Sequence, residues 1–222
     1  MAIETLIQTI AIYALPVVLA ITLHEAAHGY AALRLGDSTA YMLGRVTLNP
    51  MAHIDWIGTV AMPIALFLVS GGAFLFGYAK PVPVRFDQLR RPKRDMVWVA
   101  LAGPAANLLQ AALWITMAYI LAAMGSDEAF FRRMAGAGVL VNLALFAFNM
   151  LPLLPLDGGR VLVGLLPPRA GLQLAQTERW GLLLVLALVL VGIIGPYWML
   201  PIMHHTASVL EWLLLPLRWA LF

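Results

Sequence analysis

The chain has 222 residues, of which 62% are apolar and only 11% charged, and its mean hydropathy is +0.87. A soluble domain carries about 25% charged residues, so this composition excludes a water-soluble globular enzyme, a disordered tail and a coiled coil, and it points to a polytopic α-helical membrane protein. There is no cysteine, which leaves His, Asp and Glu to hold any metal, and the net charge of +3 bears on orientation in a bilayer rather than on nucleic acid.

Six apolar stretches follow one another, at residues 5–35, 56–78, 96–124, 134–151, 177–194 and 197–221. Most approach the ~20 residues that cross a bilayer as helix. Residues 1–8 lack the basic start of a signal peptide. No soluble linker or repeat intervenes, so residues 1–222 read as one domain. Its core covers about 5–160 and a C-terminal helical pair about 176–221.

Two pieces do not read as helix. Residues 39–47 are rich in β-formers and end at Leu48-Asn49-Pro50. Residues 79–84 carry Pro81 and Pro83, which strip donors from one edge of a strand while Val82 and Val84 still donate on the other. The two pieces together predict a small membrane-surface β-sheet; pattern alone leaves an ordinary Pro-rich loop equally open.

The first stretch contains His24-Glu25-Ala26-Ala27-His28. Residues four apart share a helix face, so two imidazoles can meet one metal with Glu25 beside it as a general base. Chance would supply such a motif roughly 0.003 times in a chain of this His and Glu content. Three ionisable residues inside an apolar helix are costly and need a partner or a role. A catalytic zinc needs a third protein ligand. The metzincin pattern would place a His where Arg34 stands. Asp37, Asp87, Asp95 and Asp127 sit in polar connections and read as solvated loop residues. Asp157 instead follows an apolar helix, stands among apolar residues and precedes Gly158-Gly159. Alone it would read as a turn residue; beside HExxH it reads as a ligand.

HEAAH in an apolar first helix, with Asn149-x-x-Pro152-x-x-Pro155-Leu156-Asp157-Gly158-Gly159 far downstream, resembles the site-2 protease family of intramembrane zinc metalloproteases. Gly103-Pro104-Ala105-Ala106-Asn107, Gly44 to Pro50 and Lys80 to Val84 add to the resemblance, which spans about residues 23–160. It is closest in kind to the compact branch that carries neither a PDZ nor a CBS domain. The resemblance implies one Zn2+ per chain held by His24, His28 and Asp157, with Glu25 as catalytic base. It also implies that Asn149 positions substrate or the oxyanion, although a helix C-cap explains Asn149 equally well.

The ligands must meet at one depth, which requires an even number of crossings between the first and fourth stretches. One of the three stretches after the first therefore does not cross. Pro63 and Gly71-Gly72 make 56–78 the candidate for a re-entrant or bent segment, giving about five spans. With 56–78 spanning, the 14 Lys and Arg divide ten to four across the membrane. With it re-entrant they divide twelve to two, which the positive-inside rule prefers and which sets the zinc towards the cytoplasmic face; the resemblance implies a prokaryotic cell membrane. The partners expected are transmembrane protein substrates and the lipid bilayer, with no nucleic acid.

A transmembrane substrate must unwind to be cut, and strand addition satisfies its freed backbone. The segment around Val46 is the preferred docking edge. His53 reads as an interfacial loop histidine, with the water entry as its alternative role. His204 and His205 are adjacent, so they face about 100° apart on a helix and are poor joint ligands. Most of the tryptophans read as interface anchors. A zinc-binding transporter or an inactive binding homologue is the competing class. It would need the ligands but not Glu25.

Overall fold

The computed structural model describes residues 3–61, 65 and 80–222. Helix α1 (Ile3–Leu35) is followed by a single turn, α2 (Thr39–Met42), and a 3-10 turn (Pro50–Ala52). A π-helical piece (Trp56–Ala61) and a second 3-10 turn (Phe86–Gln88) precede α3 (Pro92–Ala123) and α4 (Ala129–Asn149). Shorter helices complete the chain: α5 (Asp157–Leu165), α6 (Pro168–Ala175), α7 (Glu178–Leu190), α8 (Leu200–Leu213) and α9 (Leu215–Leu221).

Local chemistry sets the helix ends. Gly36 adopts φ +118, the left-handed conformation that an L side chain resists. It lets the N–H of Asp37 turn back to Ala32 O and that of Gly36 to Leu33 O, closing α1 in a Schellman motif. Gly125 ends α3 in the same way, with Ser126 N–H on Leu121 O. At the other end of α3, Pro92 takes the first turn, where its missing N–H costs nothing. The Asp95 carboxylate accepts the N–H of Arg91 just ahead of the helix.

Helices α1, α3 and α4 form the bundle, with α3 also packed on α5. The pairing shows their directions. Ile12 of α1 clusters with Trp114 of α3 and Met134 of α4, whereas Ala32 clusters with Val99. Thus α3 runs antiparallel to α1, and α4 runs parallel to it. The C-terminal ends of α1 and α4 consequently meet beside the N-terminal part of α3. The polarity of the bundle is that of a membrane protein. Ile10, Leu19, Leu109 and Leu113 face outward, while Thr22, His24, Asn107, Gln110 and Asn142 are buried.

The structure corrects several expectations. Among the described residues three helices are long and apolar enough to span a membrane, 7–35, 92–123 and 129–149. There are four if α6 and α7, bent by 65° at their junction, count as one. Six segments with about five spans are therefore not observed. The last stretch runs through a π turn at Gly195–Met199 into α8 and is interrupted before α9, and α7 alone is only 13 residues long. The region 56–78 is described only at 56–61 and 65, so its re-entrant reading lies outside the described residues.

No strand forms among the described residues either. Over 39–47 the chain satisfies itself locally: Leu43 N–H bonds Thr39 O, and Arg45 N–H bonds Ala40 O. β-Formers make a strand only where a neighbouring edge accepts them. Residues 80–84 run without helix, but their donors go elsewhere. Lys80 N–H bonds His53 O at 2.9 Å, and Val82 N–H goes to a side chain of α1. Asp37 and Asp95, expected to be solvated, are both buried.

Candidate metal centre

The late part of α1 carries His24 and His28 on one face, and both point at α3. The Nδ1 of His24 lies 2.6 Å from Asn107 Oδ1, and that of His28 lies 2.7 Å from Val99 O. Each acceptor is an oxygen, so each imidazole donates from Nδ1 and, when neutral, offers a lone pair at Nε2. The amide of Asn107 is itself oriented. Its Nδ2 donates to Ala20 O and to Asn142 Oδ1, and Asn142 in turn donates to Gly138 O. A buried chain of amides therefore sets the tautomer of His24.

Asp157 is the first residue of α5 and closes the cluster from the C-terminal side of α4. Its Oδ2 stands 3.3 Å from both Nε2 atoms, which are 3.0 Å from each other. That oxygen is enclosed and receives no hydrogen bond among the described residues. Three acceptor atoms turned towards one another repel unless a cation lies among them. A tetrahedral zinc with bonds of 2.0–2.1 Å holds its donors about 3.3 Å apart, which these separations match. Two imidazoles and a carboxylate are also a zinc-type donor set. Gly103 of α3 keeps the space clear, since a Cβ there would collide with the Nε2 atoms of both histidines. The residues present fit the ion.

Glu25 lies beside the cluster, partly buried. Its Oε2 accepts the backbone N–H of Val82 at 2.8 Å. The segment that supplies this donor is pinned on both sides. Arg45 donates to Lys80 O at 2.9 Å, and Arg85 N–H donates to Asp37 Oδ2 at 2.7 Å. Asp37 also accepts from Thr39 N–H. Burial pushes the Asp37 carboxyl up, but the donors of Thr39 and Arg85 outweigh it and leave it below its ordinary range.

The remaining expected residues do not join the cluster directly. Asn149 is the last residue of α4, and its Nδ2 donates to Leu145 O one turn back. Val46 packs on Gly29 next to Val82 rather than presenting a strand edge. His53 is buried, with Nε2 3.0 Å from Thr47 O and Nδ1 without a partner among the described residues. His204 and His205 are exposed on α8, away from the bundle interior. Trp98, Trp180, Trp212 and Trp219 are exposed as interface anchors would be, but Trp114 is buried and Trp198 donates to Ala147 O. In the sequence Asn107 is visible only within the Gly103 to Asn107 motif, and Asn142 belongs to no motif. The signal for both was an amide standing alone in an apolar run.

These observations describe a helical membrane protein whose bundle encloses a two-histidine, one-carboxylate cluster able to hold a metal, next to a glutamate. Comparison with known proteins gives the family. The chain is 36% identical over 196 residues to the Bacillus subtilis (strain 168) protein named "Putative zinc metalloprotease YwhC", an alignment covering 84% of this chain and 83% of that one. It is 32% identical over 174 residues to "Putative zinc metalloprotease Rip2" of Mycolicibacterium smegmatis, covering 78% and 64% of the two chains. It is 30% identical over 182 residues to "Putative zinc metalloprotease Rip3" of Mycobacterium tuberculosis, covering 77% and 42%. No family model and no solved structure matches. The chain belongs to the site-2 protease family of zinc metalloproteases, and it is a protease.

Proposed function

We propose that the protein is an intramembrane endopeptidase that hydrolyses peptide bonds in or near transmembrane segments of membrane-protein substrates, with Glu25 as its general base. The observation that carries this reading is the enclosure of His24, His28 and Asp157, with Glu25 adjacent, inside a bundle whose outer surface is apolar. His24, His28 and Asp157 would hold one Zn2+, the histidines offering Nε2 and the aspartate Oδ2. When bound, zinc supplies a water of lowered pKa and polarises the scissile carbonyl.

The side chains do the rest. Asn107 and Val99 O keep both imidazoles in the ligating tautomer. Val82 N–H fixes one oxygen of Glu25, and the other oxygen takes the proton of the attacking water and returns it to the leaving amine. Asn149, at the mouth of the α4–α5 connection, contributes a donor to the developing oxyanion once it leaves Leu145 O. His53, buried behind the Val46–Thr47 loop, orders water entering from the surface. The excess of Lys and Arg on one set of connections supports an active site towards the cytoplasm, and the bacterial relatives support a multi-pass protein of a prokaryotic cell membrane.

The test is cleavage of model transmembrane peptides by the purified zinc-loaded protein. Glu25→Gln is expected to keep its zinc and lose cleavage. Cleavage that survives Glu25→Gln rules out this base. Absence of cleavage by the zinc-loaded wild type on any transmembrane peptide rules out the intramembrane reading.

A further inference from the structure

A cavity of about 570 Å³ lies between α1, α3 and the loop after α2. It touches Ala26 and Ala27, the two small residues between the histidines of the HEAAH motif, and Val46 on the far side. Four of its lining residues, Tyr30, Leu48, Leu109 and Leu113, are exposed, the last two on the outward face of α3, so it opens on the apolar outer surface of the bundle. Its walls are mostly apolar, and two of its three polar side chains are paired, Tyr30 with Arg34 and Thr47 with Asn49 N–H; the third is the exception. Gln110 lines the cavity at 5% exposure, and both Nε2 and Oε1 of its amide lack a hydrogen-bond partner among the described residues.

That exception is costly. A buried amide with neither donor nor acceptor satisfied carries a desolvation penalty that a folded bundle ordinarily avoids. Its neighbour one turn back, Asn107, is fully paired and serves the metal site. An apolar residue at 110 would remove the penalty and leave the packing intact. A primary amide offers one donor direction and one acceptor direction, and a peptide group in an unwound chain needs both.

We infer that this cavity is a substrate-binding subsite, entered from the lipid, in which the Gln110 amide pairs with a peptide group of a locally unwound transmembrane segment. The apolar walls take the flanking aliphatic side chains, and the cavity's contact with Ala26 and Ala27 brings the bound stretch alongside the metal site. The inference rests on the intramembrane reading above. A lipid acyl chain fits the walls equally well but leaves the amide unpaired.

The probe is a fluorescent peptide of about 20 apolar residues with a central Gly-Ser break, in mixed micelles with the zinc-loaded full-length protein. Binding is read in the Glu25→Gln background, and KM and kcat in the unaltered enzyme. Gln110→Met keeps the size of the side chain and removes its hydrogen bonds. It is expected to raise Kd and KM about five- to thirtyfold, as loss of one or two buried hydrogen bonds does, with kcat and zinc content unchanged. Ala106→Phe fills the same cavity and is expected to weaken binding likewise while zinc stays bound. If both variants bind and cut with unchanged Kd and KM, the cavity holds only lipid and the inference is overturned. If the wild type binds the peptide through Gln110 but never cuts it, the subsite stands and the intramembrane-cleavage reading fails on its own.

Discussion

Val82 donates its backbone N–H to Glu25 Oε2 at 2.8 Å across 57 residues of sequence. Pro81 and Pro83 flank it, so Val82 is the only N–H donor in three consecutive residues. The blunted edge visible in the sequence thus serves a single directed contact rather than a sheet. Val82 also packs its side chain on Gly29, one residue past the second histidine, and the segment is clamped by Arg45 and Asp37.

Removing that donor tests the contact. Val82→Pro is expected to lower cleavage about tenfold or more, because a hydrogen bond to a charged group contributes about 1.5–3 kcal/mol. Zinc content should not change. Val82→Ala keeps the N–H and is expected to lose only packing, with near-normal kcat. Equal rates for the proline and alanine variants would refute a role for the N–H.

Asn107 connects the amide chain to His24. Asn107→Leu takes away the acceptor that fixes the imidazole and strands Asn142. Zinc affinity measured by chelator competition is expected to fall about 10–100-fold, the usual effect of losing such a supporting partner. Unchanged affinity would mean that helix packing alone orients His24.

Two glycines separate crowding from helix propensity. Gly103→Ala would put a methyl group against the Nε2 atoms of both histidines, so loss of zinc and of activity is expected. Gly136 is exposed on α4 with nothing near its would-be Cβ. Gly136→Ala should leave zinc and activity intact and stabilise α4 by about 0.5–1 kcal/mol. Zinc analysis and thermal melts in micelles read both.

Asp37 gives an acid limb to stability. Its folded pKa lies below its unfolded value of about 3.9. The carboxylate therefore stabilises the fold above that unfolded pKa, and the contribution is lost as pH falls through the lower, folded one. Melting temperature of the wild type is expected to drop as pH goes below about 4. Asp37→Asn should flatten this limb and cost about 1–3 kcal/mol at pH 7, since two backbone donors lose a charged acceptor. An unaltered acid limb in Asp37→Asn would assign it to other carboxylates.

The long apolar helices were legible because a bilayer demands length and hydrophobicity, and both are additive along the chain. The break-up of 177–221 was less so. Gly192 at φ +78, Pro196 and Pro216 are visible as breakers, but whether a run bends or continues depends on what it packs against. The β-rich look of 39–47 misled because strand formation needs a partner edge, and the N–H groups of Lys80, Val82 and Arg85 go to His53, Glu25 and Asp37.

The sequence by itself determined which candidate groups stand close together along the chain. A helix period of 3.6 puts His24 and His28 on one face with Glu25 adjacent, and a nearly charge-free background makes Asp157 stand out. What only the tertiary structure decided is everything that depends on contact between distant elements. It set the approach of Asp157 to the two imidazoles, the Asn142–Asn107–His24 chain, the clearance at Gly103 and the unpaired amide of Gln110. Spacing along one helix is a local property of the backbone. Hydrogen-bond partners tens of residues away are chosen by packing, and no local pattern records them.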